Sequence, residues 1–228
     1  MTEEFIDLMA EAGTKGINLS LETASPRLQK LLKKNLNLDN FKRNSEYIAT
    51  EHPEIILEMA SMHGFPTETE EEAYMTLNFI KNIQWIHFPY IHILKIFPNT
   101  EMEAFALSNG ISKYDIDISR NRAFHELPET LPFDKSFTRE YQSKFMNEYF
   151  LSSERLRSVL PAEMKILDES ALIQKYNAYL PTKIESIQDL LKIGKIEGLK
   201  LDNFKPKTEV TESIFTMKRE PIKIVEKC

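Results

Sequence analysis

Gly16-Ile17-Asn18-Leu19-Ser20-Leu21-Glu22-Thr23-Ala24-Ser25-Pro26 is the stretch that decides the fold. Ile17, Leu19 and Leu21 alternate with Asn18, Ser20 and Glu22, the period of two expected of a strand with one apolar and one polar face. Ser25-Pro26 then starts a helix, the serine as a cap and the proline through its fixed φ, and Leu28, Leu31 and Leu32 supply a buried stripe. A strand that runs straight into a helix is the repeating unit of a parallel sheet, and Glu22 stands at the junction.

Upstream, Phe5, Leu8, Met9 and Ala12 recur at helical spacing and Gly13 follows where a helix commonly stops, so the chain opens inside a helix. Downstream, Asp39 can cap a helix carrying Phe41, Tyr47 and Ile48. An extended apolar run from Glu54 to Met62 reads as a second strand and ends in His63-Gly64-Phe65-Pro66, where glycine and proline force a turn. Thr67 with Glu70 three residues later forms a capping-box pattern for a helix that faces Ala73, Leu77 and Ile80 to the core. A third strand, near Pro89 to Phe97, ends in Pro98-Asn99-Thr100, and Glu101 to Leu107 begins another helix.

An initial helix followed by three strand–helix units implies parallel strands joined by right-handed crossovers. The fold class is therefore α/β, a layer or a partial (β/α) barrel, since three strands cannot close one. This unit covers residues 1–112, and residues 113–136, with Pro128 and Pro132, read as an irregular connection. Residues 137–193 read as a helical extension: Tyr141, Phe145 and Tyr149, then Leu156 and Val159 before Pro161, then Asp168 opening Ala171, Leu172 and Tyr176, then Ile187, Leu190 and Leu191. From Lys192 onward nine Lys and Arg face six acids, so the tail of residues 194–228 reads as basic and poorly ordered, with short strands around Ile214 or Ile222 as an option.

With 42% apolar and 28% charged residues among 228, 11 prolines and 6 glycines, the chain is built for a packed core and not for disorder. A formal charge of −6 argues against a general nucleic-acid or membrane-surface binder. The richest apolar run, Phe88 to Phe97, is broken by His92 and Lys95, and the N-terminus lacks a basic region followed by an apolar run, so a cytoplasmic protein without a membrane partner is expected. Cys228 is the single cysteine, which excludes an intrachain disulfide and any cysteine-rich metal site completed by this chain alone.

In parallel α/β folds ligands bind beyond the carboxyl ends of the strands. Three loops qualify: Glu22 to Ser25, His63 to Thr67, and Phe97 to Thr100. Glu22 has the chemistry to accept hydrogen bonds from ligand hydroxyls or an ammonium, and the Gly64–Pro66 turn can bring backbone close to a flat ring. The competing reading, in which Glu22 pairs locally and the turns are plain connectors, stays open on pattern alone. His87 and His92 fall on opposite strand faces and do not form a metal pair. His125-Glu126 reads as a solvated turn, and Glu68, Glu70, Glu71 and Glu72 as the acidic start of a helix. Tyr141, Phe145 and Tyr149 read as core, and the glycines form neither a Walker loop nor a dinucleotide fingerprint.

The runs GINLSLETASPRLQKLLKK, EMASMHGFPTETEEE and HILKIFPNTEMEAFA, in this order, resemble the second half of a radical S-adenosylmethionine (radical SAM) barrel, with its strand-end Glu-(Ser/Thr)-x-Ser, its Gly-(Phe/Leu)-Pro turn and its Pro-x-Thr turn. The resemblance covers about residues 1 to 112. NEYFLSSERLRSVLP and QKYNAYLP are similar to C-terminal extensions of radical enzymes that carry a cobalamin-binding domain upstream.

The resemblance implies S-adenosylmethionine as cofactor, with Glu22 at its ribose or amino group, His63, Gly64, Phe65, Ile96 and Phe97 bordering the adenine, and Ser20 and Asn18 inside the barrel toward cofactor or substrate. It implies, in an intact family member, a 4Fe–4S cluster that cleaves the cofactor reductively for radical-based modification or methyl transfer. The three cluster cysteines of the family's C-x3-C-x2-C segment are absent here, so no metal ligand and no catalytic residue is assigned. A chain of this kind is expected to be a truncated family member, inactive alone, whose partners are the missing N-terminal half-barrel or a cobalamin-binding domain. The alternative is a non-catalytic α/β binding or scaffolding domain that has lost the cluster chemistry.

Overall fold

The computed structural model describes residues 1–121 and 132–199. Helix α1 (Glu3–Glu11) leads into β1 (Gly16–Glu22), α2 (Pro26–Leu31) and α3 (Leu38–Glu51); β2 (Ile56–His63) is followed by α4 (Glu70–Lys81), and β3 (Phe88–Ile93) by α5 (Glu101–Ser108) and α6 (Lys113–Asn121). The strands form one parallel sheet in the order β1-β2-β3, with Asn18 beside Glu58 and Glu58 beside Phe88. The α/β reading, a partial barrel of three parallel strands with interspersed helices and a helical C-terminal region, is what the structure shows.

Helices α7 (Lys135–Phe145), α8 (Ser153–Ile166), α9 (Glu169–Asn177) and α10 (Ile187–Ile193) follow, with a π-helical turn at Met146–Phe150 between α7 and α8. They share a single apolar cluster with the sheet: Leu57 and Met59 of β2, Ala73 and Leu77 of α4, and Tyr141, Tyr149, Leu156, Leu172 and Leu190 all belong to it. Arg155, completely buried, fastens the two parts. Its guanidinium donates to the carbonyls of Ile86 (3.1 Å), Phe150 (2.7 Å) and His87, and it lies 5.1 Å from the Phe150 ring centre. Tyr141 and Tyr149 add phenolic hydrogen bonds to the carbonyls of Ala73 and Ile83.

Several boundaries differ from the sequence expectation for local reasons. In α1 the fully buried residue is Ile6, while Phe5 and Leu8 are 53% and 56% exposed, because α1 turns its Asp7 side toward Tyr47 and His52 at the two ends of α3's last turns. Asn37, not Asp39, caps α3 by accepting from Asn40 N–H. The capping box of α4 is Thr69 with Glu72, two residues later than expected, because Thr67 takes a left-handed φ of +68° and cannot open a helix. Residues 113–121 of the expected irregular connection are helical, with Ser112 bonded to Asp115 at the start and Ile116 buried against Ile96 and Ala106. Pro161 does not end α8; burial of Leu160 and Met164 carries the helix through it. His125-Glu126, Pro128, the Ile214 and Ile222 segments and Cys228 lie outside the described residues.

Candidate functional site at the carboxyl rim of the sheet

The alternation read in β1 sets the geometry. Asn18 Nδ2 donates to Glu58 Oε2 at 3.3 Å and Tyr90 OH donates to Glu58 Oε1 at 3.1 Å, so Asn18, Glu58 and Tyr90 lie on one face across the three strands. Ser20, Met62 and His92 follow on that face toward the strands' carboxyl ends. Helix α9 and the turn after it cross the same face lower down: Lys175 of α9 pairs with Glu58, and Tyr179, just past α9, stacks on Tyr90 with ring centres 4.4 Å apart. The polar face thus has a closed floor and an upper rim.

Glu22 sits at that rim. The pairing of β1 slips between Ser20 and Glu22, and Glu22 takes a φ of +59°, which bends its carboxylate away from the regular strand direction. Oε1 accepts from Lys34 Nζ at 2.8 Å, whereas Oε2 is buried without any hydrogen-bond partner among the described residues. The carboxylate also reaches His92: burial lowers the imidazole's affinity for a proton, and the charge of Glu22 opposes that. Ser20 and Asn18 beside it are exposed. A cavity of about 460 Å³ runs along this side of β1, lined by Asn18, Ser20, Lys34, Asn37, Asn40 and Phe41 among others.

The three loops meet at one end of the sheet. Arg27, just past the first loop, donates to Thr67 O (2.7 Å) and Thr67 Oγ1 (3.1 Å) in the second and pairs with Glu72 at 2.6 Å. That guanidinium, with burial acting against it and Ser25 assisting, holds the Glu72 carboxyl down at about 2. Lys33 reaches Glu101 after the third loop at 2.8 Å, and Leu94 N–H donates to His63 O at 2.9 Å.

Asn18, Ser20 and Glu22 are therefore together on the polar face, with Gly64 and Phe65 in the adjoining turn. His63 is not with them. Its ring points to the opposite, helix-covered side of β2, stacked between Phe133 (4.7 Å) and Tyr141 (4.4 Å). Ile96 is buried against Ala106 and Ile116, while the ring of Phe97 is 61% exposed. The adenine border expected from His63, Ile96 and Phe97 thus divides: two side chains pack behind the turns and one stands free at the rim. Glu68, expected in the acidic start of a helix, lies instead in the second loop ahead of α4. It is buried there, and Oε2 accepts from Gly64 N–H (2.6 Å) and Phe65 N–H (3.0 Å). Lys34, twelve residues past Glu22, and the Glu58–Tyr90 pair also went unread. Their partners lie on different elements, and only the even-numbered strand positions carried a signal for them.

Among the described residues no group of three or more His, Cys, Asp or Glu side chains is placed to hold a metal ion. None of their helices is long and apolar enough to cross a membrane.

Comparison with known proteins bears on this rim directly. The model of the Radical SAM superfamily matches residues 1–80, which hold β1, β2 and the first two of the three loops. Over that stretch the match agrees with the resemblance read from the turns, and intact members of that superfamily use S-adenosylmethionine and a 4Fe–4S cluster. More particularly, the chain is 26% identical over 211 residues to the ribosomal protein uS12 methylthiotransferase RimO of Salmonella paratyphi A (strain ATCC 9150 / SARB42), covering 88% of this chain and 42% of that protein. It is 35% identical over 80 residues to the protein of the same name from Shigella sonnei (strain Ss046), covering 35% of this chain and 18% of that one. The chain spans less than half the length of these curated relatives.

Proposed function

We propose that this chain forms the S-adenosylmethionine-binding rim of a radical SAM protein and that its own contribution is to bind and orient that nucleoside. The observation that carries the reading is the buried Oε2 of Glu22 at the carboxyl end of β1, without a partner among the described residues. A buried carboxylate oxygen without a donor costs about 1–3 kcal/mol or more, and a ribose hydroxyl or the ammonium of the amino-acid end supplies the donor. Ser20 adds a hydroxyl on the same face, and the Gly64–Phe65 turn, buried here, is the backbone beside which the base would stack.

When bound beside a reduced cluster, S-adenosylmethionine supplies the family's radical chemistry. The residues present do not fit such a cluster, because the chain's one cysteine is Cys228 and three thiolates are needed. The thiolates would come from polypeptide outside these residues, such as the expected N-terminal half-barrel partner. Since both relatives are named as methylthiotransferases, the proposal places sulfur-linked group transfer ahead of the cobalamin-linked methyl transfer implied by the C-terminal resemblance.

The test is calorimetric titration of the purified chain with S-adenosylmethionine. Saturable one-to-one binding is expected, with Glu22→Gln weaker by about tenfold, the loss of one charge-assisted hydrogen bond. Absence of binding at millimolar ligand refutes the reading. The missing thiolates favour a second one, a scaffolding domain without cofactor, and that outcome would support it.

A further inference from the structure

Behind the second loop lies a buried pair that the ligand reading does not use. His63 Nδ1 stands 3.6 Å from Glu68 Oε2, and both side chains are 1% exposed. Neither His63 ring nitrogen nor Glu68 Oε1 has a hydrogen-bond partner among the described residues. The imidazole is caged by Phe133, Phe137 and Tyr141 from the C-terminal region. Glu68 Oε2 is the acceptor that closes the turn, taking the N–H groups of Gly64, at φ +92°, and of Phe65.

We propose that Glu68, backed by His63, is the positioning residue of the Gly64–Phe65 turn and makes nucleoside binding at that turn depend on a single proton. The proposal rests on the ligand reading above. Burial pushes the Glu68 carboxyl up to about 7 against the two backbone N–H groups that pull it down. Burial also holds the His63 imidazole down at about 4, so the imidazole is neutral near pH 7 and the proton at issue is that of Glu68.

The other titratable groups facing the pair do not change charge there. From α4, Glu72 is held at about 2, and from α2 Arg27 is held above its already high value by that same Glu72. From α7, the Tyr141 hydroxyl is pushed far up by burial. An ionised Glu68 makes two charge-assisted hydrogen bonds to the turn, while a protonated one makes two weaker neutral ones. The turn is therefore held more firmly above neutrality, and His63, by donating one ring N–H across a small rotation, stabilises the ionised form.

The probe is 5′-methylthioadenosine, which has the adenine and ribose but no ammonium or carboxylate for Glu22 and Lys34 to read. Its dissociation constant is measured from pH 5.5 to 8.5 for the wild-type chain, Glu68→Gln and His63→Phe, with circular dichroism at each pH to confirm folding. Expected is a wild-type affinity that rises about fivefold through neutral pH, a flat profile for Glu68→Gln, whose amide oxygen still accepts from the turn, and a midpoint moved upward in His63→Phe, which keeps the ring stack. If His63→Phe fails to fold, His63→Gln serves in its place. Wild-type binding without a pH step, or a step that persists in Glu68→Gln, overturns the positioning role and leaves the ligand reading intact. No binding of 5′-methylthioadenosine at any pH, with S-adenosylmethionine also failing to bind, overturns both.

Discussion

Replacing Glu163 by Gln isolates the energetic cost of one buried carboxyl group. Glu163 on α8 is fully buried; Oε2 accepts from Tyr176 OH at 3.0 Å and Oε1 has no partner among the described residues. Burial pushes its proton affinity from the ordinary 4.5 up to about 7, with Arg155 pulling the other way. The folded carboxyl therefore keeps its proton where the unfolded one has lost it, so its contribution is complete below pH 4.5 and falls as pH rises through about 7. At about 1.4 kcal/mol per pH unit over that gap, the wild type loses about 2.5 kcal/mol relative to Glu163→Gln between pH 5 and pH 8. The glutamine oxygen still accepts from Tyr176, and any cost of its unpaired amide is the same at both pH values and cancels. Glu68 titrates in the same range but is present in both proteins and cancels too. Urea-unfolding free energies at pH 5 and pH 8 give the comparison. Two proteins whose stabilities run parallel within about 0.5 kcal/mol would show that Glu163 is not held protonated by its surroundings.

Arg155→Met leaves the carbonyls of Ile86, His87 and Phe150 without their donor, and a loss of about 3–5 kcal/mol in urea unfolding is expected; a loss under 1 kcal/mol would mean that the helical region docks by apolar packing alone. Pro161→Ala restores an N–H in the interior of α8 and should raise the unfolding free energy by about 1–2 kcal/mol, and the midpoint with it, the interior proline penalty less the extra chain entropy of alanine. A lower midpoint would assign the pyrrolidine ring a packing role. Lys34→Met should leave secondary structure unchanged and remove the ammonium that donates to Glu22 Oε1. A ligand that donates to Glu22 then binds with altered affinity by titration, and identical affinity would place the ligand elsewhere.

How far the candidate site could be read in advance differs residue by residue. Asn18 and Ser20 were legible because a strand's two-residue period assigns faces without further information, whereas the register slip after Ser20 and the positive φ of Glu22 set the direction of its carboxylate, which alternation alone does not give. His63 obeys the same rule one strand over: as in β1, the odd-numbered side is the core side. Only the cage built by Phe133 and Tyr141, 70 or more residues later for both rings, fixes what its imidazole touches. Ile96 and Phe97 are adjacent apolar residues in a turn, where no period holds, and their opposite fates depend on the small cluster with Ala106 and Ile116.

By itself the sequence determined the order of strands and helices, the parallel sheet they imply, the three turns at one end and the absence of cluster thiolates among its residues. These follow from local periodicity, capping chemistry and composition, each of which acts over a few neighbouring positions. Tertiary structure alone decided which side of α1 is buried, that Arg155 and the phenols of Tyr141 and Tyr149 bind the helical region to the sheet, and that Glu22 keeps one oxygen without a partner among the described residues while Glu68 closes the neighbouring turn. Such outcomes depend on which donors and acceptors are left when distant segments exclude water together, and no short stretch of sequence carries that information.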